Sequence, residues 1–164
     1  MEEGTVFRPR LSPWIMGMYW LILVFLMFVA VIVPLSAGMD AFSSVVFESV
    51  FSVALLMVAF VVVRAYRMKF TVTKDRIIIN GIFRKNVIER TDIANVEKTP
   101  VPFGIRLFGA SFLGGWYYLP GIGKAWMSIG NFEDAVMITT KGGKHYVITP
   151  RKPLEFIKMA MPGK

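Results

Sequence analysis

The chain has 164 residues, enough for one domain of ordinary size and an appendage. Hydrophobic residues make up 55% of it, and 19 Lys and Arg stand against 11 Asp and Glu, for a net charge of +8. It has no cysteine, which excludes disulfides and thiolate metal sites, while the basic excess points to anionic partners, either a membrane surface or nucleic acid.

Residues 1–13 read as a short tail carrying Arg8 and Arg10. Two apolar runs follow. Trp14 to Ser36 is 23 residues without a charge, and Ala41 to Val63 is 23 residues with Glu48 as the only charge. A helix of about 20 apolar residues crosses a hydrocarbon core. Residues 14–66 are therefore expected to form a two-helix membrane hairpin, with spans at about 14–36 and 43–63. The runs are apolar all round, unlike the striped helices of a soluble surface. Arg8 and Arg10 precede the first run, and Arg64, Arg67 and Lys69 follow the second, while the connecting turn holds Asp40 and no basic residue. The positive-inside rule then puts both termini in the cytoplasm of a multi-pass cell-membrane protein. Ser36-Ala37-Gly38 offers small residues for signal cleavage. The apolar core, however, exceeds the roughly 7–15 residues of a signal sequence, and a second span follows at once. Glu48 is the intramembrane polar candidate, a few residues from the outer end. Antiparallel helices would bring Gly17 level with Ala59, and Ser49, Ser52 and Ala59 share a face through which small residues allow close packing.

The pattern changes after Val63. Residues 67–164 are expected to form a cytoplasmic, mainly-β domain. Lys69–Thr73 alternates with period two, Lys74-Asp75 reads as a turn, and Arg76–Asn80 is the next strand. Asn80-Gly81 is a hairpin signal because both residues tolerate positive φ. Asn86–Glu89 continues the meander, Thr91-Asp92 interrupts it, and Ile93–Lys98 resumes it. Asp134–Thr140 and Lys144–Thr149 are two further strands joined by Gly142-Gly143. Pro153 then opens a helix with Leu154, Ile157 and Met161 on one face. Short strands followed by one amphipathic helix predict a bent antiparallel sheet or small barrel capped by a C-terminal helix.

The order Phe70-x-Val72-Thr73-x-Asp75-x-Ile77-x-Ile79-x-Gly81, then Ile93, then Arg106-x-x-Gly109, then Tyr146-Val147-Ile148-Thr149-Pro150 with Pro153-x-x-Phe156, resembles bacterial and archaeal PH-like domains. The resemblance runs from Lys69 to Met161, and such domains often follow a pair of membrane helices. It implies a seven-stranded, strongly bent sheet capped by the last helix. It implies no activity, because PH-like folds bind lipids, peptides or proteins.

Between Thr99 and Asn131 lies a segment rich in glycine and aromatics. One reading is a long loop at a sheet edge whose rings complete the core. The other is a membrane- or partner-facing loop, since Trp and Tyr favour membrane and protein interfaces. Gly121-Ile-Gly123-Lys124 is not a phosphate loop, because Tyr118 and Ala125 stand where glycine and Ser or Thr belong. Catalytic parts are missing: His145 is the only histidine, Glu133-Asp134 is the close acidic pair of this region, and Gly109-Ala-Ser111 lacks the elbow pattern. No enzyme activity, cofactor, metal or small-molecule substrate is expected.

From Arg64 to Lys164 there are 17 Lys and Arg against 7 Asp and Glu. A domain with this excess beneath a membrane is drawn to anionic lipid. Nucleic acid is not expected, because no helix carries a basic stripe. Two contact functions are expected: assembly with a protein partner or a second copy through Arg106, Trp116, Tyr117, Tyr118, Lys124 and Trp126, or anionic-lipid binding through Arg64, Arg67, Lys69, Arg84 and Lys85.

Overall fold

The computed structural model describes residues 4–82, 84–110 and 114–161. The chain divides into two compact units: Pro13–Tyr66 is one, and the residues on either side of it together make the other.

The first unit is a helical hairpin, α1 (Pro13–Ala37) and α2 (Ala41–Tyr66). Both helices are long and apolar enough to cross a membrane. Proline at the first position of α1 loses nothing, because that N–H has no partner within the helix. Gly38 ends α1 in the left-handed region at φ 57°, where an L side chain would be strained. The Asp40 carbonyl accepts the Ser44 N–H at 3.0 Å to start α2. A hydrogen bond from the Ser43 side chain holds the Asp40 carboxyl below its ordinary range. The expected close approach at Gly17 is absent: a Cβ there would meet nothing within 4 Å. The Ser49 hydroxyl donates back to the Val45 carbonyl at 2.7 Å within α2.

The second unit is built on two sheets. The first has the order β1 (Thr5–Phe7), β2 (Lys69–Val72), β3 (Arg76–Asn80), β4 (Lys85–Glu89), all antiparallel. Period-two alternation buries Phe70, Val72, Ile77, Ile79 and Ile88 on one face. Strand β1 corrects the reading of residues 1–13 as a tail. Thr5–Phe7 pairs with Phe70–Val72, so the helical hairpin is inserted into the connection of a β-hairpin. Beyond β1, the Arg10 N–H donates to the Thr149 carbonyl at 2.9 Å and the Ser12 N–H to the Gly130 carbonyl at 2.6 Å. Gly130 is required there, since a Cβ would stand 2.7 Å from the Arg10 carbonyl oxygen.

The β3–β4 hairpin forms, but not through a two-residue turn with positive φ at Asn80-Gly81. The strands pair as far as Asn80 and Lys85, and beyond them the Gly81 N–H donates to the Arg84 carbonyl at 3.0 Å. Glycine serves closeness here, because a Cβ at Gly81 would lie 3.2 Å from the Arg84 oxygen and 3.4 Å from the Ser128 hydroxyl.

A single 3₁₀ turn, Arg90–Asp92, leads into the second sheet. Its strands are β5 (Ile93–Thr99), β6 (Ile105–Ala110), β7 (Gly114–Leu119), β8 (Gly123–Ser128), β9 (Ala135–Thr140) and β10 (His145–Ile148), in the order β5-β9-β10-β8-β7-β6. The expected all-antiparallel sheet is broken at one place. Strand β10 turns back from β9 through Gly143, at φ 73°, and inserts between β9 and β8, so it runs parallel to β8. The glycine-rich segment is not a loop. It supplies β6, β7 and β8 and takes the domain to ten strands among the described residues, beyond the seven that the resemblance implied.

Helix α3 (Pro153–Ala160) closes the main core, as expected. Fully buried Phe156 meets Phe7 edge-on at 5.2 Å, beside Phe70, Val96 and Ile138. The Arg90 guanidinium donates to the Met161 carbonyl at 2.5 Å just beyond the helix end and to the Thr73 carbonyl at 3.4 Å, tying helix to sheet. A second core on the other face of the second sheet joins Leu119, Ala125, Met127, Ile129, Ala135 and Val147.

Candidate interaction surface

Strands β7 and β8 meet at Leu119-Pro120-Gly121-Ile122. Proline presets φ at the second position, Gly121 takes φ 78° at the third, and the Ile122 N–H donates to the Leu119 carbonyl at 3.1 Å. These are the requirements of a type II turn. The turn sets the β7–β8 register, in which Trp116 faces Trp126 and Tyr118 faces Lys124.

One cross-strand row then spans the whole sheet: Val96, Ile138, Tyr146, Trp126, Trp116, Phe108. It begins in the core and ends in the open. Val96 and Ile138 are buried, Trp126 is 7% exposed, and Phe108 at the β6 edge is 77% exposed. The Trp116 and Trp126 rings meet edge-to-face with centroids 5.4 Å apart, and the Lys124 ammonium lies 4.8 Å from the centre of the Trp116 ring. Both contacts are favourable, since a ring face is negative and an edge positive. The indole N–H of Trp126 is buried without a partner among the described residues.

Of the six residues assigned to an interaction surface, Trp116, Tyr118, Lys124 and Trp126 share one face. Trp126 lies beneath the surface, in edge-to-face contact with the Trp116 ring. Arg106 and Tyr117 pair on the opposite face, where Tyr117 packs against the second core. Sequence reasoning missed the apolar residues of β6 and its approach. Phe103, Ile105, Leu107 and Phe108 are 91, 66, 53 and 77% exposed. A signal was available in the alternation of large apolar residues from Phe103 to Phe108, obscured by the glycines around it.

Among the lipid-contact candidates, Lys69, Asn80 and Lys85 form one row across β2, β3 and β4, with Arg84 exposed in the loop beside it. Arg67 precedes β2 and is exposed. Arg64 belongs to α2, its guanidinium 5.9 Å from the Phe60 ring centre. Glu48 is exposed on α2 and lines a groove of about 430 Å³ with Ala30, Val31, Pro34, Leu35 and Ser52.

The acidic pair is taken up structurally. Glu133 meets Arg10 at 2.7 Å, and Asp134 meets Lys98 at 2.9 Å and Arg10 at 3.5 Å. His145 Nδ1 lies 3.2 Å from the Thr139 hydroxyl. Among the described residues, no three His, Asp or Glu are grouped to hold a metal.

Two packed sheets closed by a C-terminal helix define a PH-like domain, a class of binding modules rather than catalysts. The bacterial PH domain family model matches residues 68–161, more than half of the chain, and the chain belongs to that family. No curated protein and no solved structure matches it.

Proposed function

We propose that this protein is a non-enzymatic, membrane-anchored PH-like module that assembles with protein at the inner face of the cell membrane. Helices α1 and α2 are the anchor, both termini are cytoplasmic, and residues 102–126 carry the contact. The observation behind this reading is the apolar edge of the second sheet. Phe103, Ile105, Leu107 and Phe108 lie largely in solvent, and clustered exposed apolar side chains mark interaction sites. Lipid contact is already secured by the anchor, so a second apolar surface serves another partner. Phe103→Ser with Phe108→Ser is expected to abolish co-purification with a partner or with a second tagged copy. Membrane retention and thermal stability should stay nearly unchanged, because these side chains are largely exposed. Unchanged co-purification refutes the proposal.

A second reading is favoured by the basic row Lys69–Asn80–Lys85 with Arg84 and Arg67. Its first member, Lys69, lies three residues after the end of α2, and each basic residue near an anionic surface contributes about 1 kcal/mol. Lys69→Glu with Lys85→Glu tests it through the salt-sensitive flotation of the detergent-solubilised chain with phosphatidylserine vesicles. Equal flotation of variant and wild type removes lipid binding as a function of this row.

A further inference from the structure

We propose that the partner at the β6 edge is the β6 strand of a second copy, so that two six-stranded sheets join into one. The inference rests on the assembly reading above and gives it a partner and a register. An exposed sheet edge is ordinarily protected by charge or brevity. The other edges of this domain follow that rule. Strand β1 has three residues, β4 presents Lys85 and Glu89, and β5 presents Glu97 and Lys98. Strand β6 carries one charge, Arg106, and large apolar side chains on both faces. A flat protein surface would cover one face of such a strand. Lipid would cover both faces but leave the unpaired backbone groups without hydrogen bonds. Another strand edge with apolar residues on both faces covers the side chains and pairs the backbone together, and β6 is such an edge.

The register follows from the bulge in β6. Ile105 pairs with Tyr118 and Phe108 with Trp116, although three residues separate the first two and only two the second pair. Tyr118 and Trp116 share a face of β7, so Ile105 and Phe108 share that face of β6 as well. A two-fold axis normal to the sheet pairs equal faces of two antiparallel copies. Centred between Arg106 and Leu107, it sets each Ile105 opposite the other copy's Phe108 and each Arg106 opposite the other's Leu107. Small Gly104 then faces Gly109. The two Arg106 guanidinium groups sit diagonally across the axis, so association is expected to tighten as salt screens them.

The chain has no cysteine, which permits a direct test with the full-length protein in detergent and in lipid nanodiscs. Differently tagged copies carry Ile105→Cys and Phe108→Cys. Directly opposed residues have Cα atoms about 4.5–5.5 Å apart, within disulfide reach. Mild oxidation should link the Ile105→Cys copy to the Phe108→Cys copy. The Ile105→Cys protein alone should stay unlinked, because its two cysteines are three residues, about 10 Å, out of register. Light scattering should give a dimer for the wild type and a monomer for Leu107→Lys, with both retained in the membrane. A monomeric wild type, or equal linkage in the Ile105→Cys protein alone, overturns the inference. If the wild type is monomeric while Phe103→Ser with Phe108→Ser still releases another protein, the assembly reading survives and self-pairing falls.

Discussion

Phe156 is fully buried and joins the last helix to both sheets through Phe7, Phe70 and Val96. Removing a buried phenylalanine costs about 3–5 kcal/mol, because the site collapses only in part. Phe156→Ala is expected to lower stability by that amount in denaturant unfolding. Leu154→Ala, at an exposed position on the same helix, should change it by less than about 0.5 kcal/mol. Asp134 belongs to a different kind of contact. A hydrogen bond from Lys98 holds its carboxyl below the ordinary value of 3.8. Desolvation opposes this, and the charges of Lys98 and Arg10 add to it. A depressed carboxylate contributes stability that is fully present above its unfolded pKa and fades as pH falls through the folded pKa. The contribution should therefore be complete above about pH 4 and be lost on further acidification. Carbon-detected NMR titration should find Asp134 titrating below 3.8 and moving up toward it in Lys98→Met. An unmoved titration would show that the ion pair is not formed in solution.

At the scale of elements, the first sheet was legible because its residues alternate strictly and its turns are polar. Strands Lys69–Val72 and Arg76–Asn80 lie where the alternation put them, as does the helix opened by Pro153. Strand β1 was not legible. Three residues, Thr-Val-Phe, carry no periodicity, and their partner lies beyond 54 intervening residues of the helical unit. A domain beginning at Lys69 therefore lacks a core strand. A chain in which residues 13–66 are replaced by a flexible linker should fold cooperatively, whereas residues 69–164 alone should unfold at lower denaturant. Equal midpoints would show that β1 adds no stability. Strands β6 to β8 were obscured because glycine weakens every strand signal. Their marker was the Pro120-Gly121 pair between two aromatic runs. Gly121→Val is expected to cost roughly 1–2 kcal/mol, since a β-branched residue is strained at φ 78°.

At the scale of the molecule, the two apolar helices and the placement of Lys and Arg around them yield a test of topology. A reporter active only outside the cytoplasm should be silent after Lys164 and active when inserted near Gly38, and the reverse pattern would refute the orientation. The sequence by itself determined the helical hairpin, the PH-like class of the domain, its strongly basic charge and the helix that caps it. The hairpin, the charge and the capping helix depend on composition or on a local period, and the PH-like class rests on the resemblance carried by residues such as Tyr146–Pro150; such signals survive in one dimension. Only the tertiary structure decided that β1 completes the first sheet, that β10 slots between β9 and β8, and that Phe108 ends an aromatic row in solvent while Trp126 lies beneath it. Those outcomes depend on which strands become neighbours, and hydrogen-bond pairing between distant segments leaves no mark in the local pattern of either partner.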